Sequence, residues 1–200
     1  SDTSYQLPPG REDNTYIVSK LQLLTGFKDV DEDVLNIENV SIDQGSIQAI
    51  SADEWEIQPE LNFFGEITLS YQVSDGLLAI DTTKKVGIDS VNDAPVATFT
   101  TEQAGEEDGA QLSGVLTSDD PDPDDIIEYS AFGAPIDGLT INTDGSWTFE
   151  ANSDAYQNLA DGEIRKVTAR YSVTDSTGAS DQNSFTITLT GTNDAPLATY

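Results

Sequence analysis

Closely spaced carboxylates are the residues of this chain whose types and spacing could do chemistry. The 200 residues include 37 Asp and Glu but 8 Lys and Arg, which gives a formal charge of −29. Two Asp-rich runs stand out, residues 29–33 and residues 119–125. Like charges this close repel one another, so a folded chain that keeps them needs either full solvation or a bound cation. A solvated loop is the plainer interpretation of any single run.

The residue types that are absent exclude several function classes. The chain has no His and no Cys, so a Ser-His-Asp triad, a Cys nucleophile, a thiolate or imidazole zinc site and a disulfide are all excluded. The negative charge disfavours nucleic acid and anionic membrane surfaces as partners. The sequence has no apolar run near the ~20 residues that span a bilayer. We therefore predict a protein that is not an enzyme, binds no nucleic acid and does not insert into membranes.

The elements that must position the carboxylates are predicted to be strands. Residues 68–73 and 184–190 alternate apolar and polar side chains with a period of two, which is typical of half-buried strands. Residues 16–24 are ambiguous between strand and helix. The regular alternation argues against disorder, although high charge with few aromatic residues is common in disordered chains.

An internal repeat divides the chain into two parts. The segment 71–75 recurs at 171–175, and the segment 91–99 recurs at 192–200, so each repeats about 100 residues further along the chain. We predict one domain at residues 1–95 and a second at residues 96–200. Residues 91–95 form the joint between them, and residues 192–200 form a C-terminal linker.

Each domain is predicted to hold about seven short strands separated by Gly, Pro, Asn and Asp turns, which is the spacing of an antiparallel β-sandwich. In the first domain the strands are predicted near residues 4–7, 15–27, 34–42, 46–51, 55–58, 66–74 and 79–88. In the second they are predicted near residues 96–101, 111–117, 126–132, 139–142, 146–150, 166–174 and 183–190. Trp55, Tyr71, Trp147 and Tyr171 lie in strand alternation and are predicted to belong to the cores.

The carboxylates are predicted to converge at one end of each sandwich. In such a fold the start of the first strand and the loops after the second, fourth and sixth strands are expected to lie at the same end. The candidate metal ligands of the first domain are Glu12, Asp13, Asp29, Asp31, Asp33 and Asp75. Those of the second domain and the joint are Asn92, Asp93, Glu107, Asp108, Asp120, Asp122, Asp124 and Asp175.

Oxygen ligands without His or Cys indicate which metal to expect. Ca²⁺ takes 6 to 8 oxygen ligands in flexible geometry, whereas Mg²⁺ prefers fewer carboxylates and more water. We therefore predict that the chain binds several Ca²⁺ ions. The joint would deliver a further carboxylate, Asp93, to the loops of the second domain, and a cation there would fix the angle between the domains.

Several of these motifs together resemble known repeat families. The joint Asn92-Asp93-Ala94-Pro95, the segment 144–149 and the segment 171–175 resemble a VCBS-type repeat that covers about residues 96–196. Glu12-Asp13-Asn14, with residues 29–33 and 71–76, resembles the bacterial cadherin-like repeats that occur beside them. Both kinds occur in tandem arrays of very large RTX adhesins that type 1 systems secrete.

The resemblance implies a calcium-loaded extracellular module on a bacterial surface, with a role in cell adhesion or biofilm formation. It implies adjacent repeats of the same chain as partners, a monomeric state, and a cadherin-type joint around calcium. The joint residues implied in this way are Asn92, Asp93, Glu107, Asp108, Asp120, Asp122 and Asp175. The leading hypothesis is a calcium-stabilised structural (extender) module. The alternative is a Ca²⁺-dependent peptide- or glycan-binding module of the same adhesin, with residues 151–165 as its pocket.

Overall fold

The computed structural model describes residues 6–196, and the chain divides into two compact units. One unit ends at Val91 and the next begins at Asn92, a division that lies inside the predicted joint. We call them the N-terminal and the C-terminal domain. Residues 4 and 5 of the first predicted strand and residues 197–200 of the predicted linker lie outside the described residues.

The N-terminal domain has two facing sheets. Its elements in chain order are β1 (Gly10–Arg11), β2 (Tyr16–Ser19), α1 (Lys20–Leu24), β3 (Asn36–Ile42), β4 (Ser46–Ala49), β5 (Glu54–Gln58), β6 (Gly65–Ser74) and β7 (Ala79–Asp89). The larger sheet has the order β1-β7-β6-β3, and the smaller has the order β2-β5-β4. The pair β1·β7 is parallel and the remaining pairs are antiparallel.

The C-terminal domain repeats this plan. Its strands are β8 (Val96–Ala97), β9 (Gln103–Glu106), β10 (Leu112–Val115), β11 (Ser118–Asp119), β12 (Glu128–Ala131), β13 (Leu139–Ile141), β14 (Ser146–Phe149), β15 (Ile164–Thr174) and β16 (Ser180–Thr190). They form a sheet β12-β15-β16-β9, a sheet β10-β14-β13 and a small pair β11-β8. The pair β9·β16 is parallel, as β1·β7 is in the first domain.

The alternating side chains form one core in each domain, as the period-two pattern predicts. The buried cluster of the N-terminal domain includes Leu69 and Tyr71, and that of the C-terminal domain includes Phe185 and Ile187. The predicted core positions are confirmed, because Trp55, Tyr71, Trp147 and Tyr171 are all buried. The all-β prediction of two tandem sandwiches is confirmed by the sheets of both domains, although the pairs β1·β7 and β9·β16 are parallel and not antiparallel.

The repeated tyrosine has the same structural role in both domains. The hydroxyl of Tyr71 donates to the backbone oxygen of Leu23, at 2.9 Å. The hydroxyl of Tyr171 donates to the backbone oxygen of Phe99 at 3.1 Å and accepts from its N–H at 2.9 Å. Burial raises the pKa of Tyr71 to about 12, so the phenol stays protonated. Each tyrosine thus ties its sheet to a segment outside that sheet.

The prediction of one strand over residues 15–27 is wrong, because the strand ends at Ser19 and a short helix follows. Ser19 and Gln22 form a capping box, in which each side chain accepts a hydrogen bond from the other residue's backbone N–H. Leu23 is fully buried in the core. The ammonium of Lys84 donates to the backbone oxygen of Gln22 at 2.7 Å, near the end of the helix. The helix thus begins at a cap and ends at a basic side chain.

The two ends of each domain hold different acidic residues. We call the end with the β6–β7 or β15–β16 turn the turn end, and the end where β7 or β16 finishes the exit end. Strands β1 and β9 run parallel to the final residues of β7 and β16, with Gly10 opposite Ile88 and Glu106 opposite Thr190. The acid pairs that follow β1 and β9 therefore lie at the exit end. The prediction that they share an end with the hairpin turns is wrong.

Candidate cation site

The turn between β15 and β16 fixes the carboxylate of Asp175. Its Oδ1 accepts hydrogen bonds from the backbone N–H groups of Thr177, Gly178 and Ala179 at 2.8, 2.7 and 2.9 Å. Its Oδ2 accepts a hydrogen bond from the Asn92 amide at 2.8 Å. These bonds, the Asn92 amide first, lower the pKa of Asp175 to about 2. The side chain is therefore ionised at neutral pH although it is buried.

The loop after β11 places two more carboxylates beside this turn. Asp120 Oδ1 accepts a hydrogen bond from the Asp122 N–H at 2.9 Å. The N–H of Asp125 donates to the backbone carbonyl oxygen of Asp122 at 3.1 Å, which closes a turn with Pro123 at its second position. The hydroxyl of Ser176 donates to Asp125 Oδ1 at 2.6 Å. The loop therefore turns back toward the residues that follow Asp175.

Asp120, Asp125 and Asp175 form a compact carboxylate cluster. One oxygen from each lies within 4.8 Å of the others, and this is the only such acidic group among residues 6–196. The Oδ2 atoms of Asp120 and Asp125 are buried and have no hydrogen-bond partner among the described residues. Burying an unpartnered charged oxygen next to two like charges costs free energy. The cluster is therefore unfavourable without a cation.

Basic side chains do not neutralise this cluster. The two ion pairs of the described residues, Lys20–Asp53 and Lys85–Glu66, both lie in the N-terminal domain. The donor set is entirely oxygen, which suits a hard divalent cation such as Ca²⁺. The residues present therefore fit calcium, and Asp120, Asp125 and Asp175 would hold it.

The predicted joint residues lie next to the cluster. The Asn92 amide contacts Asp175, and the N–H of Asp93 donates to Asp122 Oδ2 at 2.7 Å. All of these residues belong to the C-terminal domain. The structure thus brings together five of the predicted ligands, which are Asn92, Asp93, Asp120, Asp122 and Asp175.

One residue of the cluster was not among the predicted ligands. The predicted ligands of the Asp-rich run are Asp120, Asp122 and Asp124, but Asp124 is exposed and lies outside the cluster. Asp125 takes its place, because the turn from Asp122 brings it back toward the hairpin. Pro123 was the available signal, since Pro is favoured at the second position of such turns.

Glu107 and Asp108 lie at the exit end and not in the cluster. Glu107 is fully buried, and its Oε1 accepts a hydrogen bond from the Thr192 N–H at 2.8 Å. Asp108 Oδ2 accepts from the Thr192 hydroxyl at 3.2 Å. The 11 residues of β16 separate this end from Asp175, a distance of about 30 Å along an extended strand. The second oxygen of Glu107 is buried without a hydrogen-bond partner among the described residues.

Glu12 and Asp13 occupy the same place in the N-terminal domain. Glu12 is buried, and its Oε1 accepts a hydrogen bond from the Val91 N–H. Asp13 Oδ1 accepts from the Asn62 N–H at 3.1 Å. In both domains a buried glutamate thus binds the backbone just after the last strand.

The turn end of the N-terminal domain holds acids that are not clustered. Asp75 Oδ1 accepts two backbone hydrogen bonds from its own turn, each at 2.7 Å. Asp29 Oδ1 accepts from the N–H groups of Asp31 and Asp33 at 2.7 and 3.2 Å, and both of those residues are exposed. Within residues 6–196, the structure brings no three of these four carboxylates together.

The segment 151–165, predicted as a pocket for a peptide or glycan, packs against its own domain. Tyr156 and Leu159 are buried in the core. The Tyr156 hydroxyl donates to the backbone oxygen of Asp137 at 2.9 Å, and the Arg165 guanidinium lies 5.2 Å from the centre of the tyrosine ring. The extra length of this segment thus contributes to the core.

The two domains match two family descriptions. Residues 1–89 match the family described as Cadherin-like domain. Residues 92–188 match the family described as Bacterial Ig domain. No curated protein sequence matches the chain significantly. Domains of these two kinds are typically non-enzymatic and typical of extracellular proteins.

Solved structures support the fold. The first two extracellular domains of human protocadherin-24 align with a TM-score of 0.53 and 15% identity, over 84% of this chain and 85% of that one. Drosophila N-cadherin EC1-4 aligns with a TM-score of 0.52 and 12% identity, over 94% of this chain and 50% of that one. An endo-fucoidan hydrolase of glycoside hydrolase family 107 aligns at 21% identity over 94% of this chain, but with a TM-score of 0.39. The chain spans 28% of that enzyme's length.

Among the described residues, no helix is long and apolar enough to span a bilayer. The two cadherin alignments show the fold of the chain, which is two tandem β-sandwich domains of the Ig-like and cadherin-like kind.

Proposed function

We propose that this chain is a calcium-stabilised structural (extender) module of a bacterial surface adhesin. The observation that carries the proposal is the cluster of Asp120, Asp125 and Asp175, whose oxygens lie within 4.8 Å of one another and include two buried atoms without hydrogen-bond partners. The cadherin-like and bacterial Ig matches support an extracellular, adhesion-type setting.

The physical effect of the cation would be on folding. In its absence the three carboxylates repel one another, and the buried oxygens of Asp120 and Asp125 lose their hydration without gaining a partner. An ion that binds only the folded domain stabilises it by ~2.7 kcal/mol when its concentration is one hundred times the dissociation constant. Without an ion, the Asn92 amide still donates to Asp175 and the Ser176 hydroxyl still donates to Asp125.

We further propose that calcium at this site stiffens the joint between repeats. Asn92 and Asp93 follow directly after the N-terminal domain and contact Asp175 and Asp122. Ordering these two residues would restrict the segment by which the chain enters the C-terminal domain. Adjacent repeats of the same chain are the partners in this proposal, and the resulting stalk supports cell adhesion and biofilm formation.

The acid pairs at the exit ends are candidates for further ions. Glu107 has a buried oxygen without a hydrogen-bond partner among the described residues. The next residue, Asp108, accepts a hydrogen bond from the Thr192 hydroxyl. Glu12 and Asp13 have the corresponding position in the N-terminal domain. We propose these four residues as contributors to further calcium sites at the exit ends of the two domains.

Thermal unfolding with calcium and with a chelator tests the proposal. We expect calcium to raise the melting temperature of the native chain. The double variant Asp120→Asn with Asp125→Asn should lose most of that increase, because it removes two of the three clustered charges. In chelator the same variant should be as stable as the native chain or more stable, since the repulsion is relieved.

The matched control is Asp137→Asn with Asp154→Asn. It removes the same charge from exposed positions of the same domain and should keep the full calcium response. The proposal is wrong if chelation leaves the melting temperature of the native chain unchanged, or if the control loses as much of the response as the cluster variant does.

A further inference from the structure

The basic residues of the C-terminal domain are concentrated on one strand. Its three Lys and Arg residues, Arg165, Lys166 and Arg170, all belong to β15. Arg165 has a role inside the domain, since it donates to the Ala155 oxygen at 3.1 Å and covers the Tyr156 ring. Lys166 and Arg170 form no ion pair with any described carboxylate. Two positive charges therefore face solvent without a carboxylate partner.

Lys166 and Arg170 share the outward face of the large sheet. Both are exposed, as is Thr168 between them, whereas the intervening Ala169 is fully buried. The backbone positions of Lys166 and Arg170 are four residues apart on the strand, which corresponds to about 13 Å. The neighbouring strand β16 adds a row of hydroxyls, with Thr188 opposite Lys166, Thr186 opposite Thr168 and Ser184 opposite Arg170.

An exposed aromatic ring borders the same face. The N–H of Phe132 donates to the backbone oxygen of Arg170 at 3.0 Å, so Phe132 continues strand β12 beside it. Its side chain is 43% exposed, which leaves a large apolar surface in water. We call this surface the basic strip, and it consists of Phe132, Lys166, Thr168, Arg170, Ser184, Thr186 and Thr188.

The corresponding face of the N-terminal domain is neutralised. Lys85 lies on β7 and forms an ion pair with Glu66 on β6, and Asp43 adds further negative charge nearby. In the C-terminal domain the outward carboxylates on this sheet, Glu106 and Glu128, pair with Thr190 and Thr174 near the two ends of the long strands. The basic strip is therefore a cationic surface on a chain with a charge of −29.

We propose that the basic strip binds an anionic polysaccharide that bears carboxylate or sulfate groups. The ammonium and guanidinium groups can form charge-assisted hydrogen bonds with such anions. The Thr and Ser hydroxyls can donate to and accept from sugar hydroxyls, and the Phe132 ring can pack against the apolar face of a sugar ring. An open sheet face accommodates a linear polymer. A polysaccharide is favoured over DNA, because the row of Thr and Ser hydroxyls offers hydrogen-bond partners for sugar hydroxyls, which a DNA backbone does not carry.

Binding of fluorescent polysaccharides to the full chain in calcium buffer tests this inference. The probes are hyaluronan, which carries carboxylates, dextran sulfate, which carries sulfates, and uncharged dextran. We expect at least one charged polymer to bind and dextran not to bind. The variant Lys166→Gln with Arg170→Gln should weaken binding about tenfold or more, because hydrogen bonds to charged groups are the stronger ones. The preferred charged polymer then identifies the anion.

Two further variants separate the strip from general electrostatics. Lys28→Gln with Lys85→Gln removes the same charge from exposed sites of the N-terminal domain and should leave affinity nearly unchanged. Phe132→Ser should weaken polysaccharide binding about threefold without changing net charge. Circular dichroism of each variant, with a native melting profile, shows that it folds.

Several results would overturn the inference. One is an equal loss of affinity in Lys166→Gln with Arg170→Gln and in Lys28→Gln with Lys85→Gln. Another is no binding of either charged polymer by the native chain. A third is tighter binding to anionic phospholipid vesicles or single-stranded DNA than to both polymers. Binding that a chelator abolishes and that Lys166→Gln with Arg170→Gln leaves intact would also overturn it, because calcium would then bridge polymer and protein carboxylates.

Discussion

The turn ends of the two domains use an aspartate in the same way but differ in what surrounds it. Asp75 and Asp175 both follow a long strand, and each accepts backbone hydrogen bonds from its own turn. Around Asp175 the chain adds the Asn92 amide and the carboxylates of Asp120 and Asp125. The described part of the N-terminal domain has no such group around Asp75.

This difference shows that a hairpin aspartate is a structural feature first. The repeated Tyr-x-Val-x-Asp motif explains a turn in both domains, since the carboxylate satisfies backbone N–H groups that the turn leaves unpaired. A cation site needs segments from elsewhere in the chain, namely the Asn92-Asp93 segment and the Asp120–Asp125 loop. The two domains should therefore respond differently to calcium at their turn ends and alike at their exit ends.

The largest expected effect is a difference in calcium response between the domains. Trp55 lies in one core and Trp147 in the other, so variants with a single Trp→Phe substitution report each domain separately by fluorescence. We expect calcium to raise the melting temperature reported by Trp147 by about 10 °C or more, from ~2.7 kcal/mol of stabilisation. The increase reported by Trp55 should be smaller. An equal increase in both domains would show that the cluster does not set the response.

The exit ends should behave alike when their buried glutamates are removed. Glu12→Ala and Glu107→Ala each leave a backbone N–H without its carboxylate acceptor, which should cost about 2 kcal/mol. Urea unfolding in chelator measures both losses. A loss in one domain that is several times the loss in the other would break the equivalence of the two exit ends.

A smaller effect is expected from the Asn92 amide. Asn92→Ala removes the first of the hydrogen bonds that lower the pKa of Asp175 to about 2, so this pKa should rise in the variant. A lowered pKa stabilises the fold above the unfolded value near 3.9, and this contribution is lost as the pH falls through about 2. In chelator, the native chain should therefore exceed the variant in stability at pH 7 and converge with it near pH 2. A difference that persists unchanged at pH 2 would contradict this origin.

The smallest effect concerns the outward faces of the two large sheets. Glu66→Gln with Lys85→Gln removes an exposed ion pair of the N-terminal domain, which should change stability by less than about 1 kcal/mol. Lys166→Gln with Arg170→Gln removes no ion pair and should have a similarly small effect on urea unfolding. A large loss in the second variant would mean that the basic strip serves the fold.

Local pattern was enough to predict most strands and both cores. Alternation places Leu69 and Tyr71 inside, and the same alternation places Phe185 and Ile187 inside. The helix after Ser19 was missed because five residues are too few for a helical period to show. Its capping box, Ser19 with Gln22, was the available signal.

The site was harder to predict because its geometry depends on pairing between distant strands. Counting strands placed Glu107 with Asp175, but the short β9 runs parallel to the end of β16 and carries Glu107 to the opposite end. Parallel pairing of a two- to four-residue strand leaves no periodic signal in the sequence. Asp125 was missed for a local reason, since Pro123 reverses the loop and changes which aspartate faces the hairpin.

The basic strip also depended on register. Lys166 and Arg170 are four positions apart in the sequence, but this spacing does not show which side chains of other strands lie beside them. Only their common face on β15, opposite the hydroxyls of β16, makes them one surface.

Calorimetric titration with calcium tests the central claim most directly. The native chain and the variant Asp120→Asn with Asp125→Asn are titrated at the same pH, with Asp137→Asn and Asp154→Asn as the control of equal charge. The account predicts that the cluster variant loses at least one site that the native chain and the control both retain. The same number of sites and the same affinity in all three proteins would contradict it.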